Sequence, residues 1–367
     1  MRYLGRAAAA LLVVAGAVFP VTRAEEVCPW KLLGWKAYSE NDVFAGGGDH
    51  AYTQGLVVQW WYAGPNLERL NLSGFTAAVA KLCVAGEAPC TADIGFTYGQ
   101  TFYTPVNIEN PAPQPDDRPW AGYLFGSGIL SVSTAKRQHT FETQIGVLGP
   151  AAQAEWVQTE FHQLINDEDI PAGWDNQIHN EPTLQLLYTY RRRWGGNHVD
   201  SILQLGGGAG TVQDFVSAGL TIRGGWNLRG FGKTSIVPTA PATPAAPAAA
   251  EAVGGATPND ADCGSSSAES RLPSGPHFFA STLGRLIPFN TFLEGGTFHR
   301  IDTNITPSNF TWDASVGFVT PISPLGRWSV AFELVHRSPE FSGDGSHRFG
   351  SIALSYISKN VIPKPQK

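Results

Sequence analysis

The stretch from Phe310 to Val319 alternates without a break. Phe310, Trp312, Ala314, Val316 and Phe318 take one face, and Thr311, Asp313, Ser315 and Gly317 take the other. Ser217 to Trp226, Ser329 to Leu334 and Ser351 to Tyr356 repeat the pattern. A period of two means strands with one apolar face. A soluble sandwich hides that face in a core. A membrane barrel turns it to lipid and lines its lumen with the polar face. The polar faces here are rich in Gly, Ser and Thr, which suits a crowded lumen. Aromatics (Trp60, Trp61, Tyr62, Trp194, Trp226, Trp328) sit near segment ends, where interfacial girdles belong. The sequence therefore predicts an all-β, antiparallel transmembrane barrel; a periplasmic β-protein is the competing architecture.

The N-terminus reads as a secretory signal over residues 1–24. Arg2 and Arg6 supply the positive region, and Ala7 to Phe19 is an apolar run too short to span a bilayer. Thr22-Arg23-Ala24 ends in the small residue that signal peptidase requires. Beyond it, no apolar run approaches the ~20 residues of a membrane helix. Residues 25–367 are expected to form the barrel. The net charge of −6, with acids and bases mixed along the chain, argues against a nucleic-acid partner. Cys28, Cys83, Cys90 and Cys263 lack metal-type spacing; Cys83 and Cys90 are close enough to close a short loop in an oxidising periplasm, free thiols being the alternative.

Twelve strands are expected, over 33–42, 52–64, 92–104, 120–134, 137–149, 182–194, 199–213, 216–228, 275–297, 309–321, 327–338 and 347–358. Strand parity then puts residues 43–51, 105–119 and 150–181 on the outer face and 65–91 and 229–274 on the periplasmic face. Residues 234–274, rich in Pro, Ala, Gly and Ser, form an insertion that cannot bury a core and is expected to be disordered. Asn66 to Val84 reads as a short amphipathic helix.

The anomaly is Gly149 to Glu181. A Gly-Pro break is followed by about four helical turns. Glu155, Gln158 and His162 share one stripe of that extracellular helix; Val157, Phe161 and Leu164 form the other, expected to anchor it. The loop ends are dense in polar motifs, yet Gly-x-Ser-x-Gly, His-Glu-x-x-His and zinc-ligand spacings are all absent. What remains is oxygen-rich: Asn41, Asp42 and Thr53, with one histidine. Such oxygens suit Ca²⁺, and a neutral His162 can take a proton from water. Asn41 and Asp42 are equally readable as turn residues, and His162 as a local packing group. Asp117-Arg118 reads first as a structural ion pair or hydrogen-bonding corner, and Trp174-Asp175-Asn176-Gln177 as a loop lock.

Seven motifs in order carry a resemblance. They are Glu40-Asn41-Asp42, Tyr52-Thr53-x-Gly55, Gln100-x-x-Tyr103-Thr104-Pro105, Asp117-Arg118-Pro119-Trp120-Ala121-Gly122, Gly146-Val147-Leu148-Gly149-Pro150, Val157-Gln158-x-x-x-His162 and Trp174-x-x-Gln177-x-x-Asn180. Together they resemble the lipid A 3′-O-deacylase (LpxR-like) family of Gram-negative outer membranes. The resemblance implies a twelve-stranded barrel in the outer membrane that cleaves the ester-linked 3′-acyloxyacyl group of lipid A and depends on Ca²⁺. It implies Asp42 as the Ca²⁺ ligand with Asn41 beside it, Thr53 and Gln158 as supporting polar groups, and His162 as the base. Glu168 is similar to an acidic residue of that family. The loop between Thr104 and Asp117 holds no Lys or Arg, so contact with a lipid A phosphate would fall to Arg118 or elsewhere. The expected partner is lipopolysaccharide, met by a monomer. An outer-membrane phospholipase and a non-enzymatic pore are the competing functions.

Overall fold

A computed structural model describes residues 31–45, 51–63, 91–165, 170–231, 274–322 and 327–358. The strands are β1 Lys31–Asn41, β2 Ala51–Ala63, β3 Thr91–Thr104, β4 Ala121–Ser133, β5 Arg137–Leu148 and β6 Glu181–Gly195. They continue with β7 Val199–Gly210, β8 Gln213–Gly225, β9 His277–Asn290, β10 Phe310–Pro321, β11 Trp328–Arg337 and β12 His347–Ile357. Each pairs antiparallel with its sequence neighbour, and β1 pairs with β12, so the sheet closes into a twelve-stranded barrel. Closure leaves no unpaired edge, which a sheet surrounded by lipid requires. Among the described residues no helix is long and apolar enough to cross a membrane. The signal segment, the cysteines, the 66–84 helix and the 234–274 insertion lie outside the described residues.

Burial follows the alternation in the inverted sense that a membrane barrel needs. On β10 the aromatic and aliphatic residues Phe310, Trp312 and Val316 are exposed, while Thr311 and Asp313 are buried. On β8, Val216, Leu220 and Ile222 face out and Arg223 faces in. Near the strand ends closest to the termini, Trp35, Trp328 and Tyr356 form a cluster, with ring centroids 5.4 Å and 4.8 Å apart for Trp35–Trp328 and Trp328–Tyr356. Arg192 lies over the Trp194 ring at 5.0 Å. These are the amphipathic residues expected at a lipid–water boundary.

The lumen is filled, not open. Near the terminal end, Asp200 is clamped between Arg193 and Arg223. The same guanidiniums donate to backbone oxygens of Leu228 and Gly230 at 3.0 Å and 2.8 Å, folding residues 226–231 back over this end with Leu228 and Phe231 buried. Further along, Arg191 donates to Gln204 and Gln138, and Gln144 donates to Glu142. Buried charges need partners: Asp200 finds two arginines on neighbouring strands, while Arg191 and Glu142 rest on glutamine amides.

One expected strand is corrected. The 275–297 strand ends at Asn290, because the Asn290 side chain accepts from Phe292 N (3.1 Å) and starts a helical turn, α2 (Thr291–Glu294). This turns Phe292 inward across the loop-end mouth, where its ring lies 4.4 Å from Tyr103 on β3 and 6.0 Å from Tyr123 on β4. The rest of the 291–309 connection is pinned by Glu181. Its carboxylate accepts from the backbone N–H groups of Thr297, Phe298 and His299 at 2.8, 2.8 and 2.6 Å. The loop end is therefore capped by chain arriving from the far side of the barrel.

Candidate active site

The outer rim is assembled from β1 to β4, which are neighbours in the barrel. Asn41 ends β1, paired with Gln54 of β2 and Gly350 of β12. Asp42 opens a short 3-10 turn, Asp42–Ala45. Both are buried, together with Glu40. The Val43 N–H lies 2.8 Å from Asn41 Oδ1 and 2.9 Å from Asp42 Oδ1, so an amide oxygen and a carboxylate oxygen converge on one donor. Two hard oxygens side by side fit Ca²⁺. Among the described residues no three His, Cys, Asp or Glu side chains gather to hold a metal. Thr53 lies where the β2–β3 register slips between Tyr52 and Gln54, a bulge beside the site.

The 149–180 connection is built by close backbone approach. Gly149 has φ +85°, and a Cβ there would sit 2.6 Å from the His179 backbone. Its N–H donates to Gly122 O (2.9 Å), and Ala151 N donates to Asn180 Oδ1 (2.7 Å). At Gly122 a Cβ would come within 2.6 Å of the Ala154 Cβ, so only glycine lets the next helix, α1 (Ala154–Ile165), sit this near β4. Gln100 of β3 adds a 2.6 Å hydrogen bond to Ala152 O.

The buried stripe of α1 is the one that carries Gln158 and His162, and the expected anchoring stripe is only partly covered; the Leu164 side chain lies outside the described residues. Ala154 joins the buried stripe; Val157 and Phe161 are half-buried, and Glu155 is exposed. The reason is the surface it meets. The helix lies over Gly122 and the Phe102–Trp120–Trp174 cluster on the outer side of β3 and β4, and Trp174 there offers Gln158 a polar partner. Gln158 and His162 are 1% and 4% exposed and lie one turn apart. Val157 packs at the edge of a cluster of Phe102, Ile108, Trp120, Ala154 and Trp174. Trp174 donates from Nε1 to Gln158 Oε1 at 2.8 Å. The loop lock expected at Trp174–Gln177 is present: Gln177 N bonds Trp174 O and Ile178 N bonds Trp120 O, at 3.1 Å and 2.9 Å.

Phe102 and Gly122 pair across β3 and β4 on the face opposite to the lumen-facing Tyr103 and Ala121, so α1 lies against the outside of the wall and buries Gln158 and His162 there, at the same end of the barrel as Asn41 and Asp42. Glu168 and the Thr53 side chain lie outside the described residues. Arg118 is not a phosphate ligand. It is buried, and its Nη2 lies 2.7 Å from Glu340 Oε2. Its expected partner Asp117 instead accepts from Val106 N and its neighbour's N–H at 2.8 and 2.6 Å, forming the hydrogen-bonding corner of the loop. Arg118 belongs to a network that the alternation foreshadowed only at Asp313. Arg337 and Arg285 both bind Asp313, each at 2.9 Å, and Arg337 Nη1 reaches toward Glu340 at 3.6 Å. Glu340 lies in the loop beyond β11. Burial pushes its carboxyl up, but Arg118 and Arg337 outweigh that and hold it below the usual carboxylate range.

The family model described as outer membrane protein LpxR matches residues 8–358. Among solved structures, LpxR from Salmonella typhimurium superposes with a TM-score of 0.62 at 17% identity, covering 89% of this chain and 100% of that one. The β domain of the Bordetella autotransporter BrkA gives a TM-score of 0.37 at 10% identity, covering 89% of this chain and 98% of that one. The KdgM porin gives 0.35 at 4% identity, covering 89% and 99%. A comparison with curated protein sequences finds no match. The closed twelve-stranded barrel, the inverted burial and a family match that runs from the first strand to the last make one conclusion: the chain belongs to the LpxR family of outer-membrane proteins.

Proposed function

We propose that this protein is an ester hydrolase that removes the ester-linked 3′-acyloxyacyl group of lipid A, with its loop end turned toward the leaflet that holds lipopolysaccharide. The observation that carries the reading is the polar stripe of Gln158 and His162, buried between α1 and the barrel wall at the same end as Asn41 and Asp42. A helix that buries a glutamine and a histidine against the barrel wall and leaves Trp156 exposed is placed for chemistry rather than anchorage. The membership in a lipid A-modifying family and the ordered motifs support the substrate.

In this mechanism neutral His162 takes a proton from water as that water attacks the ester carbonyl. The tetrahedral intermediate expels the sugar alkoxide, which recovers the proton from the imidazolium. No covalent enzyme intermediate is formed. Ca²⁺, held by Asp42 with Asn41 beside it, would polarise the carbonyl and stabilise the oxyanion. Thr53 and Gln158 supply supporting polar groups, and Glu168 an acidic one. The filled lumen and the capped mouth weigh against the pore reading.

Mass spectrometry of lipid A incubated with the detergent-purified protein tests this, in Ca²⁺ and in EDTA. Loss of one acyloxyacyl mass only with Ca²⁺ is the expected result. An unchanged spectrum in both, from a folded barrel, would sink it. Cleavage of phospholipid vesicles free of lipopolysaccharide would move the assignment to a phospholipase.

A further inference from the structure

Most arginines toward the loop end are already engaged. Arg118 holds Glu340, Arg285 and Arg337 hold Asp313, and Arg300 lies 3.2 Å from Glu294. Arg348 differs. It is exposed, and among the described residues no carboxylate lies within ion-pair reach of it.

Strand register fixes where Arg348 points. On β12, His347, Phe349 and Ser351 are buried toward the lumen, so Arg348, Gly350 and Ile352 take the outer face. Gly350 pairs with Asn41 of β1, and directly opposed residues share a face of the sheet. Asn41 therefore lies on the same outer wall as Arg348. The turn that follows Asn41 folds over that wall. A Cβ on Gly350 would come within 2.5 Å of the Phe44 Cβ, so the Asp42–Ala45 turn is seated on the one position of β12 without a side chain. Arg348 is the neighbouring outer-face residue, about 7 Å along the strand from Gly350. It thus borders the turn that carries Asp42.

The surroundings define what such a guanidinium can bind. Arg348 is paired across strands with His336 of β11, whose ring lies 5.6 Å from that of the exposed Trp312 on β10. Tryptophan and basic residues together at strand ends mark the headgroup level of a leaflet. The acids of these strands, Glu40, Asp313 and Glu333, are all buried on the lumen side. The outer wall here offers a positive charge and no acid of its own strands to balance it. A planar guanidinium in that setting matches the oxygens of a phosphate, which it can take in a two-point hydrogen bond.

We propose that Arg348 is a substrate-binding residue, whose guanidinium takes a phosphate of the lipid A headgroup while the ester lies at the Asn41–Asp42 turn. The proposal deepens the esterase reading above and rests on it. It supplies from β12 the cation that residues 105–116 lack.

Initial rates on lipid A in neutral-detergent micelles test this, with phosphorylated and dephosphorylated substrate side by side and folding checked by heat-modifiable mobility. Arg348→Ala is expected to raise KM for phosphorylated lipid A about ten- to a hundredfold, the scale of a lost charge-assisted hydrogen bond, with kcat within about twofold. On dephosphorylated lipid A the variant and the wild type are expected to agree within about twofold. Arg348→Lys keeps the charge but not the fork, so its KM is expected to fall between the two. Arg192→Ala removes a lipid-facing arginine at the opposite end of the barrel and is expected to change neither constant. An unchanged KM in folded Arg348→Ala would overturn the proposal. So would an equal loss on dephosphorylated substrate, the mark of a merely structural arginine, or an equal loss in Arg192→Ala, the mark of general surface charge. Should Arg348→Ala fail to fold, Arg348→Gln takes its place with the same expectations. A folded wild-type protein that turns over neither substrate would sink the esterase reading. Retention of phosphorylated over dephosphorylated lipid A by wild type, and its loss in Arg348→Ala, would then uphold the phosphate site alone; equal retention by both would overturn it.

Discussion

Arg118 and Glu340 meet at 2.7 Å in a place where both side chains are buried, and they join two connections that are far apart in sequence. The 105–120 loop precedes β4, and the 338–346 loop joins β11 to β12. The guanidinium also lies over the rings of Tyr103 and Phe341, 5.8 Å and 5.9 Å from their centroids. Removing one member leaves the other charged and enclosed. Arg118→Ala is therefore expected to cost roughly 3–5 kcal/mol of stability, a buried-pair value. Thermal loss of the heat-modifiable band measures it; an unchanged midpoint would show that solvent reaches Glu340.

The same pair sets an acid limit. Glu340 titrates below its ordinary value, so its contribution is present above the unfolded value of about 4.3 and is lost as pH falls through the depressed folded value. The 338–346 loop is expected to stay docked at mildly acidic pH and to loosen only as pH falls below the ordinary carboxylate range. Hydrogen exchange of residues 338–346 against pH checks this. Protection lost already between about pH 5 and 6 would contradict it, since ordinary carboxylates titrate lower.

The barrel was legible because β-period and membrane logic act on every strand at once. Phe310 to Phe318 and Ser217 to Arg223 alternate so regularly that their faces follow from the residues alone. The end of β9 was not legible in the same way. Pro288-Phe289-Asn290-Thr291-Phe292 continues an apolar pattern, and only the cap made by Asn290 turns it into a helix. The site residues were named from ordered motifs, and the structure brings Asn41, Asp42, Gln158 and His162 to one rim. How deeply each stripe of α1 is buried was not legible, because helix periodicity says which residues share a stripe but not which wall of the barrel the helix will meet. The Asp313–Arg285–Arg337 network pairs residues from three strands, and no local spacing encodes such a meeting.

Asp42→Ala is expected to weaken Ca²⁺ dependence and activity together. Its carboxylate is the one acidic group of the Asn41–Asp42 oxygen pair that shares the Val43 N–H. Titrating Ca²⁺ while following acyl release checks the assignment. Wild-type turnover at ordinary Ca²⁺ would remove Asp42 from the site.

Glu181→Gln probes the cap. A charged acceptor serving three backbone donors is replaced by a neutral amide that also brings a donor into the nest. The loss is expected to be about 1–3 kcal/mol, confined to the 291–309 connection. Limited proteolysis within that loop is expected to quicken while the barrel keeps its wild-type heat-modifiable mobility. If cleavage rates match wild type, the carboxylate is not what holds the loop across the mouth.

His162→Ala gives the sharpest separation among the functional readings. The side chain is buried, but it lies in the second half of a short helix whose docking rests on Gly122, Ala154 and the Trp174 bond to Gln158. The variant is therefore expected to fold with wild-type heat-modifiability. Loss of a general base costs on the order of 10²–10⁴ in rate, so acyl release from lipid A should fall by at least a hundredfold. His162→Gln keeps hydrogen-bonding volume but cannot take a proton at neutral pH, and should be no better. A pore would show no difference between these variants and wild type in conductance across a planar bilayer. An esterase that uses His162 only for packing would keep most of its turnover in His162→Gln while losing it in His162→Ala. That pattern would move the base to another group at the rim, with the imidazole reduced to a spacer between α1 and the barrel.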